Sequence, residues 1–297
     1  MIRMNDTLGR KITYLRLSVT DLCDLRCIYC MPEHGVPKRA HSEICSLEEL
    51  CDMAAAAVSL GVRKVRITGG EPLIRRGVVS LCQMLRALPG LEELCLTTNG
   101  VRLPELAAPL REAGVDRLNI SLDTLRPERY RSITRIGELS SVLRGLDAAE
   151  AAGFSHTKLN CVLMGGVNDD EIEDFVRLTQ ACPLSVRFIE LMPIGLAAQY
   201  QGIPADRIRE QLAAVFGPLR EDNGKIGNGP AHYYAIEGFK GKIGFIDALS
   251  HCFCQQCNRL RLTADGTLKL CLAHDNGVDL KTPLRAGASK EELQTII

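Results

Sequence analysis

Six cysteines fall into two tight groups near opposite ends of a 297-residue chain. Cys23, Cys27 and Cys30 are spaced C-x3-C-x2-C, and Cys254, Cys257 and Cys271 are spaced C-x2-C-x13-C. Three thiolates on one loop can hold three irons of a 4Fe-4S cube and leave the fourth iron open to a chelating substrate; four-cysteine ferredoxin patterns close that position. A zinc site is the competing reading, with His34 or His41 completing the first group and His251 or His274 the second. The other seven of the thirteen cysteines are mostly scattered among apolar neighbours and read as small buried hydrophobes, Cys252 being the one close to the second group. Thirteen is odd, and Met1–Asp6 contains no apolar leader, so a disulfide framework is a poor explanation.

A second set of residues is cationic. Arg16, Arg66, Lys158 and Arg187 lie in apolar, strand-like runs where burial is expected. A buried cation without a partner is costly. Either a bound anion or internal carboxylates such as Glu71, Asp123 and Glu190 must answer them. Arg259 and Arg261 alternate along another strand-like run, so both face one side. Arginine forks suit phosphate oxygens.

The elements that must position these groups alternate along the chain. Strands are expected at 12–19, 64–68, 93–97, 116–121, 158–163 and 185–190, and helices at 47–60, 78–88, 103–113, 140–152 and 170–181. Ser46 and Glu49 form a capping-box pattern, and Gly61, Gly114 and Gly153 stand where helices end. Repeated β–α units imply a parallel sheet with right-handed crossovers. The count fits an α/β fold, a partial (βα)6 TIM-like barrel over residues 1–191. A smaller C-terminal domain over 192–297 carries the second cysteine group, a helix ending near Phe216, Gly-rich loops at 224–230 and a hairpin at 232–246. Barrel chemistry gathers at the C-terminal strand ends. Those ends here read Thr68-Gly69-Gly70-Glu71-Pro72, Thr97-Thr98-Asn99-Gly100, Ser121-Leu122-Asp123, Lys158-Leu159-Asn160 and Glu190-Leu191-Met192-Pro193.

Composition excludes several classes. Lys plus Arg balances Asp plus Glu at 36 each, aromatics are 4%, and Trp is absent, so neither charge nor stacking platforms point to nucleic acid. No apolar run reaches the roughly 18 residues of a membrane span. The expectation is a cytoplasmic enzyme with no nucleic-acid or membrane partner.

Residues 14–32, with the cysteine triplet and Tyr29-Cys30-Met31-Pro32, resemble the signature of the radical S-adenosylmethionine superfamily. Together with the ordered strand ends and Cys257-Asn258-Arg259-Leu260-Arg261-Leu262-Thr263, the chain from about Asp6 to Arg285 is similar to the GTP 3',8-cyclase family of molybdenum-cofactor biosynthesis. The resemblance implies two 4Fe-4S clusters, on Cys23, Cys27 and Cys30 and on Cys254, Cys257 and Cys271. It implies S-adenosylmethionine against Tyr29, Gly70, Ser121 and Met192. GTP is implied against Arg16, Arg66, Thr97 and Lys158, with its guanine at the open iron of the second cluster; the face of Arg259 and Arg261 is expected to grip its triphosphate. The implied reaction splits S-adenosylmethionine reductively, abstracts hydrogen from C3' of GTP and closes C3' onto C8, Arg16 assisting the late reduction. Implied partners are a flavodoxin- or ferredoxin-like electron donor and, downstream, a cyclic pyranopterin monophosphate synthase, with room for a homodimer. Family members extend into a Gly-Gly tail that enters the site. This sequence ends at Thr295-Ile296-Ile297, so slow turnover with normal binding is expected. Two alternatives stand beside this reading: a peptide-modifying radical enzyme with an auxiliary cluster, and a catalytically impaired cluster-binding paralogue.

Overall fold

A computed structural model of the chain describes residues 4–6, 9–222, 224 and 229–297; the expected Gly-rich loop lies partly outside them. The first half runs β1 (Tyr14–Ser18), α1 (Leu47–Ser59), β2 (Lys64–Thr68), α2 (Val78–Arg86), β3 (Glu93–Thr98), α3 (Leu103–Glu112) and β4 (Arg117–Ser121). It continues through α4 (Pro127–Thr134), α5 (Leu139–Ala151), β5 (Lys158–Leu163), α6 (Ile172–Ala181) and β6 (Ser185–Glu190). The remainder forms α7 (Ala205–Phe216), β7 (Arg220–Asp222), β8 (His232–Ala235), β9 (Lys242–Ile246), β10 (Arg259–Leu262), β11 (Thr267–Lys269), β12 (Gly277–Asp279), α8 (Lys281–Arg285) and α9 (Lys290–Ile296).

Local chemistry explains the boundaries. Ser46 accepts the Glu49 N–H while the Glu49 carboxylate accepts the Ser46 N–H, the reciprocal cap that starts α1. Gly61 stops it at a φ of 116°, a conformation that penalises any side chain. The sequence reading misses α4, because Pro-Glu-Arg-Tyr-Arg-Ser-Ile-Thr is too polar to show an apolar stripe; Pro127 opens it at the first turn.

Strands β1 to β6 are parallel neighbours in sequence order, the partial barrel expected. Its outer face is apolar: Leu15 and Leu17 join Leu50 and Met53 of α1 in one continuous core. The strands beyond residue 191 do not stand apart. β9 pairs parallel to β6 and carries β8 and β7 on that edge, while β10 pairs parallel to β1 and carries β11 and β12 on the other. Arg285 of α8 ties the C-terminal segment back to Glu49 of α1 at 2.7 Å. Among the described residues no helix is long and apolar enough to cross a membrane.

Candidate functional site

The cysteine loop after β1 is gripped on two sides. On one side Gly70 N–H donates to Thr20 C=O (2.7 Å) and Glu71 N–H to Leu22 C=O (2.8 Å). A Cβ on Gly70 would lie 2.1 Å from the Leu22 carbonyl oxygen, so the paired glycines exist to let β2's end touch this loop. On the other side Arg26 and Ile28 donate their N–H groups to Thr134 and Ile133 at the end of α4. Arg135, at a left-handed φ of 64°, donates to the carbonyls of Arg26 (2.8 Å) and Met31 (2.9 Å). The buried Glu71 carboxyl receives Leu73 N–H, Thr98 hydroxyl and Asn99 N–H, and the Asn99 amide donates to Asp24 within the loop.

Cys27 and Cys30 share a side-chain hydrogen bond that, with burial, pushes the Cys27 thiol far up; the same bond draws Cys30 down against its burial, and Cys23, raised chiefly by burial, feels Cys30. His34 and His41 are exposed and bond to none of the three among the described residues. A donor set of thiols alone fits an iron–sulfur cube better than a Cys3His zinc site. In the second group Cys254 senses Cys257 and Cys271, and shares a hydrogen bond with Cys252, a neighbour that local spacing had only suggested. His251 is turned to Asp206 (3.1 Å), away from a ligand role. The Arg259 Nε–H donates to Cys257 Sγ at 3.3 Å, with its guanidinium over the Phe253 ring, so this arginine serves the thiol directly.

Topology sets the two groups apart. Cys23 follows the C-terminal end of β1, whereas Cys257 precedes the N-terminal end of the parallel strand β10. They therefore stand at opposite mouths of the barrel. Between them the inner face is cationic where barrels are normally filled by branched aliphatics. Arg16 is the Cα partner of Arg66 on one side and Arg261 on the other. Lys158 and Arg187 follow on β5 and β6, both buried. Among the described residues none of Arg16, Arg66, Arg187 and Arg261 forms an ion pair, and the three carboxylates that could have answered them are occupied elsewhere. Glu71 is bound as above, Asp123 receives Tyr29 O–H and Val162 N–H (both 2.8 Å), and Glu190 receives the N–H groups of Leu249 and Ser250.

The electrostatic consequence reaches most of these cations; Arg66 is the exception, its burial outweighed by Tyr14, Cys95 and Glu93, which raise it. Burial, reinforced by Arg261, Arg66 and Arg259, brings Arg16 down to about 10 despite the pull of Tyr14, and its buried Nε has no hydrogen-bond partner among the described residues. Burial plus repulsion from Arg187, Arg117, Lys64 and Arg66 brings Lys158 down to about 7. Arg187 and Arg261 are lowered, again chiefly by burial.

Of the expected S-adenosylmethionine residues, Tyr29 and Ser121 line one cavity with Cys27, Asn99 and Asp123. Gly70 lies exposed at the end of β2 and Met192 half-buried after β6, both outside that lining. Thr97 receives the Arg66 fork at 3.4 Å. Tyr14, which the sequence reading passed over, joins this group through Arg66; its position in the β1 alternation was the available signal.

Known proteins sort the chain as follows. The radical SAM superfamily model matches residues 17–179, and the molybdenum cofactor synthesis C model matches residues 184–297. A GTP 3',8-cyclase of Moorella thermoacetica is 52% identical over 295 residues, taking in 99% of this chain and 91% of that one. That of Heliobacterium modesticaldum is 50% identical over 296 residues, at 99% and 90%. Among solved structures, Streptococcus suis SuiB bound to S-adenosylmethionine superposes with a TM-score of 0.64 at 14% identity, covering 96% of this chain and 66% of that one, a likeness of fold alone.

Proposed function

The chain belongs to the GTP 3',8-cyclase family of radical S-adenosylmethionine enzymes, and from that membership we infer that it converts GTP to (8S)-3',8-cyclo-7,8-dihydroguanosine 5'-triphosphate, the first step of molybdopterin biosynthesis. The observation that carries the site assignment is the row formed by Arg16, Arg66, Arg187 and Arg261, none of them in an ion pair among the described residues, between two three-cysteine groups. A triphosphate is the anion that answers several buried arginines at once.

Cys23, Cys27 and Cys30 would hold one 4Fe-4S cluster, and Cys254, Cys257 and Cys271 the other. When bound, the clusters and S-adenosylmethionine supply the one-electron chemistry that activates C3' of GTP. The chain's own residues do the rest. Tyr29, Gly70, Ser121 and Met192 seat S-adenosylmethionine at the C-terminal mouth. Arg16, Arg66, Thr97, Lys158 and Arg261 hold GTP in the lumen, with Arg259 poised between substrate and Cys257. Arg16, with its unanswered Nε, is the residue assigned to assist the late reduction. Enclosure by the barrel wall excludes water from the reacting carbons. We place the division of the chain near residue 191; the two family models meet slightly earlier, between residues 179 and 184. Cytoplasmic residence and a flavodoxin- or ferredoxin-like donor fit thiol-dependent, low-potential chemistry.

The test is anaerobic reconstitution followed by incubation with reductant, S-adenosylmethionine and GTP. About eight irons and eight sulfides per chain, roughly two cubes, and a GTP-derived cyclised product are expected. Zinc in place of iron, or S-adenosylmethionine cleavage with no change in GTP, would overturn the reading.

A further inference from the structure

Arg66 is held at two points in the lumen. Its Nε–H donates to the Tyr14 hydroxyl at 2.5 Å, and its Nη1 reaches Thr97 Oγ1 at 3.4 Å. Both acceptors are neutral. A carboxylate in either place would aim the fork equally well, but would also cancel its charge and compete with an incoming anion. Tyr14 does more than receive this bond. Its ring carries the Lys64 ammonium 5.3 Å from the centroid, and its register partners are Lys64 on β2 and Arg259 on β10. It is only 4% exposed, and its own hydroxyl proton has no acceptor among the described residues. A buried hydroxyl with an unused donor is costly unless a ligand takes it.

We propose that Tyr14 is a positioning residue for the triphosphate: it aims the Arg66 fork by accepting its Nε–H, leaves that charge uncancelled, and offers its own O–H to the same anion. The proposal rests on the reading of the lumen as the GTP site and adds a specificity device to it. The surrounding cations support it from another side. Burial pushes the Tyr14 phenol up, but the positive charges of Arg66, Arg16 and Lys64 outweigh that and hold it below its ordinary range, which makes it a stronger donor.

The experiment uses the cluster-loaded Tyr14→Phe protein, in which the ring under Lys64 and the core volume are kept. Binding of GTP and of guanosine is measured for parent and variant. GTP should weaken about tenfold, the worth of one charge-assisted contact, with guanosine binding and iron content unchanged, and KM for GTP should rise far more than kcat falls. In an Arg66→Lys background, which lacks the Nε–H, Tyr14→Phe should cost much less than in the parent. Unchanged GTP affinity, parallel weakening of GTP and guanosine, or full additivity of the two substitutions would overturn the proposal. If the parent itself fails to prefer GTP over guanosine, the triphosphate reading of the lumen falls and takes this proposal with it. A parent that keeps that preference beside a silent Tyr14→Phe removes the Tyr14 role alone.

Discussion

Arg16 of β1 and Arg261 of β10 face each other as Cα partners in adjacent parallel strands, although they come from opposite ends of the chain. Neighbouring strands lie about 4.8 Å apart. Two guanidinium-bearing rungs at that spacing repel unless an anion lies between them, and Arg261 weakens Arg16's hold on its proton. Replacing Arg261 by Met should therefore raise the stability of the ligand-free protein by on the order of 1 kcal/mol, while weakening GTP about tenfold. Thermal melts with and without GTP check this. The variant should melt higher alone and gain less from the nucleotide, the usual opposition between stability and a built site. A lower melting point together with an undiminished GTP response would return Arg261 to a structural part.

Lys158 predicts a pH dependence. Burial and the charges of Arg187, Arg117, Lys64 and Arg66 bring its ammonium down to about 7, and it lies 5.1 Å from the centre of the Tyr233 ring. Near pH 8 the free protein therefore holds Lys158 mostly neutral, and a bound triphosphate favours the charged form. GTP binding should take up a proton, and affinity should rise about tenfold as pH falls from 9 to 7. Without ligand, the folded state binds fewer protons than the unfolded state between about 7 and the ordinary 10.5, so stability rises with pH across that window. Calorimetry in buffers of different ionisation enthalpy reads the proton directly. Lys158→Met should abolish the uptake, and persistence of uptake in that variant would assign it elsewhere.

Gly70→Ala tests how β2 holds the first cysteine loop. The new methyl would meet Leu22 C=O at 2.1 Å, a backbone atom that cannot rotate away. The loop must move, at a cost of about 3 kcal/mol or more. Iron and sulfide analysis should show loss of one cluster and retention of the other. Full content of both would mean that the loop adapts freely.

Cys27→Ala and Cys257→Ala should fail in different ways, because the two groups occupy opposite mouths. The first should lose S-adenosylmethionine cleavage altogether. The second should keep uncoupled cleavage and lose conversion of GTP. Chromatographic quantification of 5'-deoxyadenosine and of the nucleotide product separates the two, and equal loss of cleavage in both variants would contradict the assignment.

Much of this protein is decided locally and is legible residue by residue. Strands β2, β5 and β6 run over the residues their apolar patterns indicate, and the Ser46–Glu49 cap starts α1 where the motif stands. Helix and strand periods, caps and left-handed glycines are consequences of backbone sterics within a few residues. The two cysteine spacings are equally local. Helix α4 escapes because its burial depends on Tyr130 and Ile133 meeting distant partners, which no stripe advertises.

Tertiary structure alone decides which mouth each cysteine group occupies. Nothing in the spacing of Cys254, Cys257 and Cys271 says that β10 will lie parallel to β1, with Tyr14 opposite Arg259 and Arg16 opposite Arg261. Whether the lumen cations would be neutralised was equally open, because Glu71, Asp123 and Glu190 were all available by sequence and each proved to be bound to backbone N–H groups instead. Gly69 and Gly70 stand in the sequence only as a strand end, and it is in three dimensions that they admit the cysteine loop. Parallel pairing between distant strands is set by which apolar faces can be buried together and which edges still need hydrogen bonds, quantities that belong to the whole chain rather than to any window of it.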